Sequence, residues 1–261
     1  RGMSSAASDV YKRQDILIDS LNNDDAKELL LDLKLPKDSI LFFQREILIS
    51  KIFVNQMKFR LAEKVLLDLR KSFSKERILY LNLSDLYFKN KALEKGILIL
   101  KEGIKIFPNF IPLRFNLAVM YRNMGLLKLS IETHIEILLK DQLHSKSFYE
   151  LSTMYDFSNH NDQLKTLLNI EIENLSQKEK IYFCYSKANA YHNNKDYKKS
   201  AYFLKIANDE KLKIQPSDKQ RKLNTGEYFR NLKIDQNLNL EKVKDSNQYL
   251  FIVGMPRCGS T

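Results

Sequence analysis

The stretches LSDLY (83–87), LAVMY (117–121) and LSTMY (151–155) are one pattern written three times. Each sets a small residue directly after a leucine and a tyrosine three places further on, and the three leucines, at 83, 117 and 151, are evenly spaced. ISKIF (49–53) stands one such step before the first, and KANAY (187–191) follows the last by one step and a little more, which places a two-residue insertion near Ser176–Lys178. A fixed period of this length marks stacked supersecondary units, and missing it would misassign the whole fold.

The second half of each unit stays in phase. Nine places after the aromatic position come Ala62, Gly96, Ser130, Leu164 and Ser200; four further on come Leu66, Leu100, His134, Leu168 and Leu204. Three beyond these stand Leu69, Gly103, Ile137, Glu171 and Ala207. Helical periodicity puts the three positions on one face. Small residues there let two helices approach closely, and the large ones fill the gaps between them. Pro108 follows the second helix of its unit, where a proline ends a helix.

This pattern resembles the tetratricopeptide repeat, a 34-residue helix–turn–helix with a small residue after Leu, then Tyr, then Ala, then a terminal Pro. The resemblance covers residues 43–214 as five units and implies an all-α solenoid of antiparallel helix pairs. A single unit cannot bury its own apolar face, so stability comes from neighbour stacking. The fourth unit carries Leu164 and Glu171 where small residues belong, and is expected to be the most distorted. Residues 15–42 read as leading helices, with Asn23 as an N-cap before Asp24 and Asp25. Residues 215–234 read as a closing helix capped by Ser217 or Asp218. The resemblance also implies a concave groove lined by the first helix of each pair. In this register Asn82, Asp85, Arg122, Asn123, Tyr185, Asn189, His192 and Asn193 face it, a set of amides, aromatics and an arginine suited to an extended protein or peptide partner.

Composition agrees with packed helices. Seven glycines, five prolines and no tryptophan are few for a turn-rich sheet protein. The formal net charge is +11, but lysines and acidic residues interleave along most segments, so the surface reads as solvated and mildly basic rather than as a nucleic-acid footprint. Cys184 and Cys258 form no disulfide framework, which suits a reducing, cytoplasmic setting. His134, His144, His160 and His192 lack zinc-ligand spacing, so no metal is expected. No apolar run approaches the ~18 residues of a membrane span. Residues 1–14 read as a non-native leader, because SAASDVYKRQ (5–14) has no apolar core and resembles a translated adaptor remnant.

Past residue 234 the chain changes character. Residues 235–248 are polar and without helical period, and read as a linker. Tyr249–Val253 is an apolar strand, broken by Gly254. GMPRCGST (254–261) then sets two glycines five positions apart, a spacing that lets backbone N–H groups turn inward around an anion. Arg257 adds a planar cationic fork, and Ser260 and Thr261 add hydroxyls. Ser260 stands where a nucleotide triphosphatase has Lys, which argues against ATP or GTP chemistry. The strand followed by G-x-P-R-x-G-S-T resembles instead the 5′-phosphosulfate loop of sulfotransferases, particularly the bacterial branch in which tetratricopeptide repeats precede the catalytic domain, and tyrosylprotein sulfotransferases.

That resemblance implies residues 249–261 as the first strand and phosphate loop of a truncated domain. Gly254, Pro256, Arg257, Cys258, Gly259, Ser260 and Thr261 would bind 3′-phosphoadenosine 5′-phosphosulfate (PAPS). Arg257 would be catalytic, stabilising charge on the bridging oxygen during sulfuryl transfer to a hydroxyl or amine. Cys258 replaces the usual serine, which puts one hydroxyl contact in doubt. The family's general base and 3′-phosphate-binding residues lie downstream of such a loop, so the stretch read here is expected to be inactive, with the repeats recruiting an acceptor or mediating dimerisation. The alternative is a non-catalytic tetratricopeptide adaptor.

Overall fold

A computed structural model describes residues 34–154 and 161–216, with single positions at 30, 32 and 224. Every regular element among them is a helix. The leader, Asn23, the linker, the closing-helix caps Ser217 and Asp218, and the whole strand and loop at 249–261 lie outside the described residues.

The helices run in pairs. The first unit holds α1 (Ile40–Asn55) and α2 (Phe59–Ser72), and the second α3 (Arg77–Lys89) and α4 (Leu93–Ile106). The third holds α5 (Ile111–Asn123) and α6 (Leu127–Lys140), the fourth α7 (Ser145–Met154) and α8 (Asn161–Asn169), and the fifth α9 (Gln177–Asn193) and α10 (Tyr197–Ile214). Each second helix packs on the first helix of the following unit, and the first helices α1, α3 and α5 also touch in sequence. This is the tetratricopeptide solenoid that the evenly spaced pattern predicts.

Local chemistry sets the boundaries. The Ser39 hydroxyl accepts a hydrogen bond from the Phe42 N–H and caps α1. Ser176 and Glu179 form a reciprocal capping box at α9, just where the sequence places its insertion. There α9 has 17 residues, whereas α3 and α5 have 13 each. The turns inside the first, second, third and fifth pairs each carry one left-handed residue: Met57, Lys91, Gly125 and Lys195. Only Gly125 takes that conformation without steric cost.

Packing follows the repeat positions. Ala62, Ser130, Ser200, Leu66, Leu100, Leu69, Ile137 and Ala207 are all buried. Ser130 donates to the Ala118 carbonyl and Ser200 to the Ala188 carbonyl, at 2.8 and 2.9 Å, so the same small-residue position clamps the pair in two different units. Glycine serves the second unit. A Cβ on Gly103 would lie 3.0 Å from Tyr80 Cγ and 3.1 Å from Leu113 Cδ1, and one on Gly96 would lie 2.5 Å from the Met120 thioether.

Two positions depart from the expected register. Leu167, not Leu168, is the buried residue of α8, and Leu204 of α10 is 44% exposed where Leu100 is sealed. Among the described residues, the two helices of the fourth unit approach each other along their backbones less than those of any other unit, and α7 packs mainly on α9. Leu164 cannot permit the approach that Gly96 allows.

Candidate protein-interaction face

The first helices of units three to five carry an aromatic at one repeat position, two places before the leucine anchor: Phe115, Tyr149 and Tyr185. All three are half-buried, as is Tyr182 one turn before Tyr185. The Tyr149 ring centroid lies 5.7 Å from that of Tyr182 and 6.0 Å from that of Tyr185. Lys146, one turn before Tyr149 and exposed, sits over the Phe115 ring at 5.9 Å. On the far side Lys211 sits over the Tyr185 ring at 6.0 Å. The result is an aromatic band in which three tyrosines cluster across α7 and α9, Phe115 of α5 is linked to them through the Lys146 ammonium of α7, and Lys211 lies beside Tyr185.

Polar residues beside the band stitch successive first helices together. Asn116 donates to Ser84 Oγ at 3.2 Å and Asn189 to Ser152 Oγ at 3.0 Å. Arg122 of α5 pairs with Glu150 of α7. These contacts hold the rings on a fixed frame, which lowers the ordering cost of receiving a ligand.

The residues expected to line the groove divide between these roles. Asn189 and Arg122 are stitches between first helices, and Tyr185 belongs to the band, its hydroxyl donating to Asn208 Oδ1 at 2.7 Å. Asn82 and Asn123 turn back on their own helices, donating to the Ile78 and Val119 carbonyls, both at 2.8 Å. Asp85 is exposed and pairs with Lys89 at 3.2 Å. His192 packs edge-on against Tyr197, 5.4 Å between centroids, and it and Asn193 are exposed at the end of α9. Phe115, Tyr149 and Tyr182 are the residues that sequence reasoning missed. The signal for two of them was present: Phe115 and Tyr149 are one repeat period apart, in phase with Tyr185.

The titratable groups nearby are tuned by burial. It pushes the Tyr185 hydroxyl up, aided by Tyr149, and the buried Cys184 thiol up to about 11, far from a reactive thiolate. Lys187, buried in the leucine anchor position of unit five, is pushed down. Its Nζ donates to the Leu168 and Ile170 carbonyls at 3.1 and 2.6 Å, satisfying the C-terminal end of α8. Among the described residues no group of three or more His, Cys, Asp or Glu is placed to hold a metal, and no helix is long and apolar enough to cross a membrane. Residues 254–261, including Arg257 and Cys258, lie outside the described residues.

No family model and no curated protein matches the chain. Solved structures do resemble it. BtubC (BKLC) from P. vanneervenii is 14% identical over 79% of this chain and 92% of that one, with a TM-score of 0.53. Pseudomonas aeruginosa pilF is 13% identical over 87% of this chain and 100% of that one, at 0.53. Nearly identical TPR-like repeats from Podosopora anserina are 15% identical over 67% and 97%, at 0.50. At such identities the likeness establishes the fold alone.

Proposed function

We propose that this chain is a helical-repeat scaffold that docks a protein or peptide partner on the first-helix face of units three to five. The carrying observation is the aromatic band of Phe115, Tyr149, Tyr182 and Tyr185, half-exposed on a frame of inter-helix hydrogen bonds and flanked by Lys146 and Lys211. Rings of this kind supply contact area at low entropic cost, and tyrosine is enriched where binding energy concentrates. Panning the chain against a displayed peptide library tests the reading. Enriched peptides are expected to lose roughly tenfold or more in affinity on Tyr149→Ala with Tyr182→Ala. They should be insensitive to Leu98→Ala on α4. Enrichment that ignores the two tyrosines would end it.

A second reading rests on the segment 249–261 rather than on the helices. Its apolar run and G-x-P-R-x-G-S-T loop, placed after tetratricopeptide units, support a cytoplasmic PAPS-dependent sulfotransferase whose repeats present the acceptor, with Arg257 and the loop amides holding the 5′-phosphosulfate. Calorimetry of 3′-phosphoadenosine 5′-phosphate against the gene's complete product tests it. Binding abolished by Arg257→Ala supports the reading; absence of binding at low salt leaves the scaffold function alone.

A further inference from the structure

The third unit has a polar side chain where the first two have leucine. His134 occupies the position of Leu66 and Leu100 and, like them, is closed off from solvent. Its Nδ1 lies 3.2 Å from Ser147 Oγ, while its Nε2 is buried with no hydrogen-bond partner among the described residues. Ser147 is itself fully buried, and its Oγ lies 2.9 Å from His144 Nδ1. A single hydroxyl thus serves two imidazoles, and it can donate to only one of them. The Phe115 ring packs against both, 5.6 Å from each imidazole centroid. The cluster therefore joins α5 and α6 to α7, where the third unit meets the fourth.

A neutral imidazole is tolerated there; an imidazolium is not. Protonation would give His134 two N–H donors with one acceptor between them, and a charge in a site closed to solvent, without a carboxylate partner among the described residues. Every group that bears on His134 opposes that charge: His144 from the turn before α7 and Arg122 from α5, after burial itself. Around His144, burial is the largest influence and Lys146 of α7 adds to it, while Asp141 alone favours the charged form.

We propose that His134, Ser147 and His144 form an acid-labile joint, through which proton uptake opens the array between its third and fourth units. Burial holds His134 down to about 4 from its ordinary 6.5. The open joint therefore binds the proton more tightly than the closed one. Closure is fully favoured above pH 6.5 and is lost as pH falls from 6.5 toward 4. Phe115 and Tyr149 lie on opposite sides of the joint, so opening divides the aromatic band. That consequence rests on the docking role proposed above; the opening itself does not.

Hydrogen exchange of the full chain at pH 7.5 and pH 5, corrected for intrinsic rates, tests the joint without any partner. The opening equilibrium of α6 and α7 amides is expected to rise roughly 30-fold relative to those of α2 and α3. His134→Leu, the residue that units one and two use, should abolish the excess rise. The same rise in that variant, or none in the parent, overturns the proposal. Histidine NMR gives an independent reading should the variant not fold. A His134 resonance unshifted down to pH 5 in the folded chain supports the joint, and one titrating near 6.5 refutes it.

Discussion

Units two and four are built on the same repeat plan, and they differ in what sits where two helices must meet. In unit two Gly96 and Gly103 let α3, α4 and α5 close until Met120, Tyr80 and Leu113 touch the glycine backbone. In unit four the equivalent residues are Leu164 and Glu171; α8 is only 9 residues long, against 14 for α4, and α7 finds its main neighbour in α9. A repeat array survives this because each unit depends on its neighbours rather than on itself. Lys187 ties α8 to the next unit instead, its ammonium reaching from α9 to the carbonyls ending α8.

The strongest way to break the comparison is to give unit two the bulk that unit four carries. Gly103→Leu should destabilise the chain by about 3 kcal/mol, because the side chain has to displace Tyr80 and Leu113 from a sealed core. Glu171→Leu, at the matching exposed position, should stay within about 0.5 kcal/mol. Urea unfolding of the two variants measures the difference, and equal costs would mean that the small-residue rule does not govern this array.

Removing unit four's substitute contact comes next. Lys187→Ala deletes a buried stem and leaves two carbonyls short of a donor, at a cost of about 2 kcal/mol. Amide protection should fall first in α8 rather than uniformly. Protection lost equally from α1 to α10 would show that Lys187 serves the array in general.

The smallest effect sharpens the regular side of the comparison. Lys91 holds a φ of 57° in the turn of unit two, where unit three has Gly125 at 76°. Lys91→Gly should raise stability by about 0.5–1 kcal/mol through relief of strain, net of the added chain entropy. Gly125→Ala should lower it by a similar amount, although open space surrounds that Cβ position. A melting-temperature shift of opposite sign in either variant would contradict the turn assignment.

The sequence was most legible where a single residue type satisfies a steric demand once in every repeat. Leu83, Ser84, Gly96 and Gly103 could be assigned to the interior from their spacing, and the weakness of unit four was readable from Leu164 and Glu171. The binding face was less legible. Asn82 and Asn123 look free in sequence, yet each is bonded to a carbonyl one helical turn back on its own helix. Phe115 and Tyr149 share one repeat position on successive first helices, and both are half-exposed. Which side of a helix stays open depends on the neighbouring units, and a local pattern does not contain that.

By itself the sequence determined the period, the helix pairing and the residues that let helices close, because steric size at a repeating position acts locally and identically in each copy. Only the tertiary structure decided that a lysine in a leucine's place ends a neighbouring helix, that one buried serine is shared by two histidines, and that tyrosines from separate units form one surface. Those outcomes join groups that the chain itself keeps on separate helices, and the gap is closed by the stacking of units rather than by any preference of the residues themselves.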